Sequence, residues 1–164
     1  MRFFTRAWHA GELSDADTEA VSSAYRRHLE ALGAALPAGV RALAEGVNLH
    51  DGRVRRITLD ADARQVQLEL RCGDRAAGYE DVVVTYVDAT IEPSALAALR
   101  AATNDPSTEV LYDEIDITAR RRFSHRILFW PYREAELTFR DVAIERAPAA
   151  GRDFAPAEPR WIEI

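Results

Sequence analysis

The sequence contains no lysine: all 21 of its Lys+Arg positions are arginine. Schiff-base lysines, P-loop lysines and lysine general bases are therefore excluded as mechanisms. A single cysteine, Cys72, excludes an internal disulfide. Cys72 falls in phase with Val66, Leu68 and Leu70 on a strand pattern, where a buried, inert thiol is expected. No run approaches the 18 apolar residues of a membrane span, and Met1-Arg-Phe-Phe-Thr-Arg-Ala-Trp-His lacks the apolar core of a signal peptide. Cytoplasmic residence is the default expectation. The four histidines, His9, His28, His50 and His125, show no His-x-His or His-x-x-x-His spacing, so no metal site is expected. Gly-x-Gly-x-x-Gly, Gly-x-Ser-x-Gly and Cys-x-x-Cys are also missing, and no cofactor is expected.

What is present is an ordinary globular composition. At 164 residues and 48% hydrophobic, the chain buries about 70% of its unfolded surface in one domain, with no need of a structural metal. The net charge of −6 speaks against nucleic acid, whose phosphates demand concentrated positive surface. It suits a protein partner with a basic surface. Abundant alanine with arginine in place of lysine points to a GC-rich, bacterial source.

Ser14 is positioned as an N-cap, with Asp17 in the capping-box place. Behind it Val21, Ala24, Tyr25, His28, Leu29 and Leu32 recur at helical spacing, which predicts a helix lying on a core. Gly33 and Pro37 end it, and Val40, Leu43 and Ala44 predict a second short helix closed by Gly46, making a helical hairpin. From residue 53 the period becomes two. Ile57 and Leu59, then Val66, Leu68, Leu70 and Cys72, predict an antiparallel hairpin, and Val82–Val87 a central strand. Ser94 caps a short helix to Ala102, and strands are expected over 109–118, 122–130 and 135–146, the last with a bulge near Arg140-Asp141. The fold class is α+β: an N-terminal helical hairpin on a mainly antiparallel sheet of about six strands, with one further short helix. The domain is expected to span 1–147 (1–46 helical, 53–146 mainly strands). An Ala/Pro-rich tail, 148–164, would hug the surface with Trp161 and Ile162 as anchor.

The densest polar cluster is Asp113, Glu114 and Asp116 facing Arg120-Arg121-Arg122 and His125-Arg126. A hairpin centred near Ala119-Arg120 would set Glu114 opposite His125 and Asp113 opposite Arg126. A carboxylate beside His125 would make a general acid or base, with Arg126 available for an anion. Cross-strand charge pairing, with His125 hydrogen-bonded among Phe123, Ile127 and Phe129, explains the same residues more simply. A second candidate is His50 with Asp51 in Asn48-Leu-His-Asp-Gly52, where Asp51-Gly52 is a turn signal and His50 is either a ligand or a loop hydrogen-bonding residue. Glu134 and Glu136 share a strand face that could hold a cation or simply be solvated.

Met1-Arg-Phe-Phe-Thr-Arg, Leu49-His-Asp-Gly-Arg-Val-Arg-Arg-Ile, Gly78-Tyr79 before Val82-Val-Val-Thr-Tyr, and Leu111-Tyr-Asp-Glu-Ile with His125-Arg-Ile-Leu-Phe are distinctive segments. They resemble uncharacterised bacterial proteins grouped as a domain of unknown function with a Met-basic-aromatic-Phe-Thr-basic start. The resemblance implies no activity and carries over no catalytic residue. In size, charge and layout the chain also resembles immunity proteins that neutralise toxins. The expectation is a non-enzymatic binding or protein-interaction module, immunity-like, with a small hydrolase-like or ligand-binding enzyme using His125 with Glu114 or Asp113 as the competing reading.

Overall fold

The computed structural model describes residues 1–154 and 160–164 apart from the Ala34 side chain. It is an α+β fold. Its described helices are α1 (Arg6–His9), α2 (Asp15–Leu32), α3 (Ala38–Arg41) and α4 (Pro93–Asn104). Its strands are β1 (Arg53–Asp60), β2 (Gln65–Asp74), β3 (Gly78–Val87), β4 (Thr90–Ile91), β5 (Glu109–Ile117), β6 (Phe123–Trp130), β7 (Arg133–Phe139), β8 (Asp141–Ala149) and β9 (Trp161–Glu163). Among the described residues no helix is long and apolar enough to cross a membrane.

Ser14 caps α2 as its residue type demands, its hydroxyl accepting from the Asp17 amide at 3.2 Å. The apolar stripe of α2 is only half-buried. The tighter packing comes from Leu36, Val40 and Leu43, all less than 5% exposed, so the expected two-helix hairpin is one long helix followed by a short, irregular plug. Gly39 is required there, because a Cβ would collide with the Val142 carbonyl of β8.

Among the described residues the sheet has nine strands, in the order β4-β7-β6-β5-β1-β2-β3-β8 with β9 parallel on β1. The expected six grew because 135–146 is two strands and because two short ones, β4 and β9, join the sheet. At Arg140 the chain leaves β6 and β7 and runs on as β8 beside β3. Arg140 N–H donates to Val87 O at 3.0 Å at that corner. β1 and β5 meet only at Arg53 and Glu109. The sheet curls over itself: Tyr86 of β3 reaches His125 of β6 and Phe139 of β7, strands well apart in the order. Inside this curl lie Ile57, Leu68, Leu70, Val84, Ile115 and Phe129, each at most 1% exposed. Burying each such side chain contributes about 1.5–3 kcal/mol, so the curl outweighs any single cap. α4 adds Leu99 and Ala102 to the same core.

Part of the Ala/Pro-rich tail, 155–159, lies outside the described residues. On one side of it Phe154 packs under Arg55 and Arg71, with guanidinium-to-ring distances of 5.3 and 5.5 Å. On the other, Trp161 and Ile162 pair with Ile57 and Thr58.

Candidate functional site

The β5–β6 hairpin closes one residue away from the expected register. Ile115 faces His125, and Glu114 faces Arg126. A slip of one reverses faces, so Glu114 leaves the His125 side altogether and Asp113 and His125 share the inner face. There a hydrogen-bonded row forms: His125 Nε2 lies 3.0 Å from Asp113 Oδ2, and Nδ1 lies 2.7 Å from the Tyr86 hydroxyl. A carboxylate only accepts, so Nε2 carries the proton and Tyr86 O–H donates to Nδ1. Burial, and then the Asp113 charge, push the Tyr86 phenol well above its ordinary range, which keeps it a donor. The His125 side chain is 0% exposed and both nitrogens are occupied, whereas Asp113 retains 23% exposure. A ring enclosed in this way cannot meet a substrate.

On the outer face Glu114 is also fully buried. Its carboxylate accepts from the amides of Arg2 (2.8 Å), Phe3 (2.6 Å) and Phe4 (2.7 Å) and thereby straps residues 2–4 across β5 and β6. Arg126 lies 3.3 Å from Asp116, 3.2 Å from Glu136 and 3.8 Å from Glu114. Burial would raise Asp116, but the Ile117 amide, His28 and Arg126 outweigh it and hold the carboxyl below its ordinary range. Glu134 meets the Met1 ammonium at 2.5 Å, and Glu136 accepts from Ser124 at 2.5 Å, so this acidic pair is engaged within the chain. These are the contacts of a strapped surface, with every carboxylate already partnered.

Residues 48–52 make a more open site. The Asp51 N–H donates to Val110 O at 2.8 Å, and Asp51 adopts φ 59, a left-handed conformation that Asp tolerates. Gly52 must be glycine, since a Cβ would stand 2.7 Å from Leu49 O and 2.9 Å from Cys72 Sγ. This turn presents His50, whose ring stacks on Tyr112 at 4.9 Å and whose Nδ1 lies 2.5 Å from Leu111 O. A carbonyl only accepts, so Nδ1 carries a proton, and Nε2 lies 3.7 Å from Asp51 Oδ1. The side chains of His50 and Asp51 are 43% and 56% exposed.

They line a groove of about 560 Å³ whose other walls are the β2–β3 connection and the end of β8. Asp74, Tyr79 and Glu80 come from the first wall, Arg146 from the second. The Ala77 and Ala76 amides lower the Asp74 carboxyl. Glu80 holds Arg146 bidentately at 2.7 and 2.8 Å and raises its pKa. Arg75 and Arg152 line an adjoining hollow that shares Asp51, Asp74 and Tyr79 with the groove. His50 and Asp51 were visible in the sequence. Tyr79, Glu80 and Arg146 were not, because residues on strands 3 and 8 meet only through the β7–β8 crossover.

A ladder of rings leads away from the groove: Tyr112, His9 at 5.9 Å, Tyr132 at 5.7 Å from His9, and Trp130 at 5.2 Å from Tyr132. The chain matches no family model, no curated protein and no solved structure.

Proposed function

We propose that this protein is a non-enzymatic binding module whose recognition site is the His50–Asp51 groove, and that it takes a basic segment of a partner protein. The observation that carries the reading is the contrast between the two histidine centres. His125 is enclosed with both nitrogens bonded, while His50 and Asp51 stand exposed on the wall of a groove of about 560 Å³. That volume lies within the range of ligand clefts, and His50 and Asp51 reach solvent on its wall, where a segment of a partner can meet them.

Charge supports the partner class. Asp51 and Asp74 are free of guanidinium partners among the described residues, Glu80 and Arg146 offset each other, Arg152 beside them is taken up by Glu109, Arg75 offsets one of the two aspartates, and the whole chain carries −6. A basic partner is steered to such a face, and the steering weakens as salt is raised. An immunity-like role, in which the face covers a basic surface of a toxin, is one form of this function. The enzymatic alternative loses support with His125, whose row to Asp113 and Tyr86 holds strands together across the core.

The test is titration calorimetry of the full chain with a capped basic peptide and a capped acidic peptide of equal length, at low and moderate salt. The basic peptide is expected to bind with a salt-weakened affinity that Asp51→Asn reduces. Asn also tolerates the left-handed backbone, so the variant stays folded. Binding of the acidic peptide alone, or a basic peptide indifferent to Asp51→Asn, overturns the reading.

A further inference from the structure

Trp130 is the one large hydrophobic side chain exposed in the body of the described fold, at 45%; the other such residue, Ile164, ends the chain. It sits on the outer face of β6, at the far end of the ring ladder that starts from His50. Two neighbours show which chemistry this surface accepts. Tyr132, edge-on to Trp130, already carries the Arg6 guanidinium over its ring at 4.5 Å. Glu109, directly across from Trp130 on β5, accepts from Arg53 at 3.1 Å and Arg152 at 2.6 Å. Among the described residues no guanidinium covers Trp130 itself. The chain docks its own tail in the same way, with Phe154 under Arg55 and Arg71 and Trp161 under Arg100 at 5.2 Å.

We infer that the groove and the ring ladder form one recognition surface, selective for an arginine-bearing segment of a partner protein over a lysine-bearing one. The inference rests on the groove reading and specifies its partner. Asp51 and Asp74 supply attraction to any cation, which an ammonium satisfies as well as a guanidinium. Trp130 supplies the discrimination. A guanidinium is planar and weakly hydrated, so it stacks on an indole face while its edge donors reach a carboxylate, whereas an ammonium keeps its water and meets the ring as a point charge.

The experiment uses the full chain and two capped peptides of equal length and charge in a Gly/Ser background, one bearing arginines and the other lysines. Affinities are measured by calorimetry on the native protein, Trp130→Ala and Trp130→Phe. Trp130 is surface-exposed, so both variants are expected to fold, which circular dichroism and thermal melting verify. The arginine peptide is expected to bind the native protein about two- to fivefold tighter than the lysine peptide. Trp130→Ala is expected to weaken the arginine peptide more than the lysine peptide and so erase that preference, and Trp130→Phe to keep part of it. Equal affinities on the native protein, or a preference that survives in Trp130→Ala, overturn this inference and leave the groove reading standing. If neither peptide binds, the groove reading falls and the inference with it.

Discussion

Replacing Glu114 with alanine removes the one carboxylate that holds the amides of Arg2, Phe3 and Phe4, at 2.6–3.1 Å. Hydrogen bonds to a charged acceptor contribute about 1.5–3 kcal/mol each, so three would exceed 4 kcal/mol if the strap stayed in place. It need not stay. Once released, residues 2–4 regain water and about 1–2 kcal/mol of backbone freedom apiece, which offsets part of the loss. Phe3 and Phe4 leave their contacts with Tyr25, at 5.2 and 4.9 Å, and that works in the other direction. The net expectation is a destabilisation of about 3 kcal/mol, in the range for breaking a buried charged contact. For a chain of this length that lowers Tm by roughly 6–12 °C. Urea denaturation gives the stability, and hydrogen exchange of the Arg2–Phe4 amides shows whether the strap has opened. Glu114→Gln, which keeps one acceptor oxygen, is expected to lose about half as much, and Glu145→Ala on exposed β8 under about 0.5 kcal/mol. A Glu114→Ala loss below about 1 kcal/mol, with exchange at residues 2–4 unchanged, would refute the strap.

Tyr86→Phe leaves His125 Nδ1 buried without its donor and is expected to cost about 1–3 kcal/mol in urea denaturation; no measurable cost would mean that the row does not span the core. Burial pushes the Cys72 thiol up to about 12, so a disulfide reagent is expected to label it only on unfolding, and rapid labelling of the native protein would contradict its placement. Asp88, held low by Arg122, Asp105, held low by Ser107, and Asp81, where Arg71 and Arg55 outweigh burial, all ionise below the ordinary carboxylate range. A carboxyl lowered in the folded state contributes stability that is complete above the unfolded pKa of about 3.9 and is lost as pH falls through the folded value. The urea midpoint is therefore expected to decline from about pH 4 downward on account of these groups, and a midpoint that rises on acidification would contradict the pairings.

Local chemistry made part of this fold legible in the sequence. The Ser14 cap, the alternation from Val66 to Cys72 and the short connections between β5, β6 and β7 each follow from a few neighbouring residues, and the structure has them. The irregularity near Arg140-Asp141 was also legible, though its consequence was not. A bulge within one strand and a crossover between two look alike in period, and what decides between them is the Val87 carbonyl that meets Arg140 from far along the chain. Register failed for a related reason. The hairpin turn centres on Arg120, half a residue from the expected centre between Ala119 and Arg120, and the one-residue change of pairing that follows sends Glu114 outward to the strap and Asp113 inward to His125. Tyr86 could not be linked to His125 from the sequence, because their contact depends on the curl of the whole sheet. His50 and Asp51 were recognisable as a turn with polar side chains, while the groove they line needed β8 to arrive beside β3.

The central claim is that recognition occurs at the His50–Asp51 groove and not at His125. Amide chemical-shift mapping during titration with the arginine peptide tests this residue by residue. Shifts are expected to gather at Asn48–Asp51, Gly73–Glu80 and Arg146–Ala147, with His125 and Tyr86 unmoved. Shifts centred on His125, Asp113 and Tyr86, with the groove silent, would contradict the account.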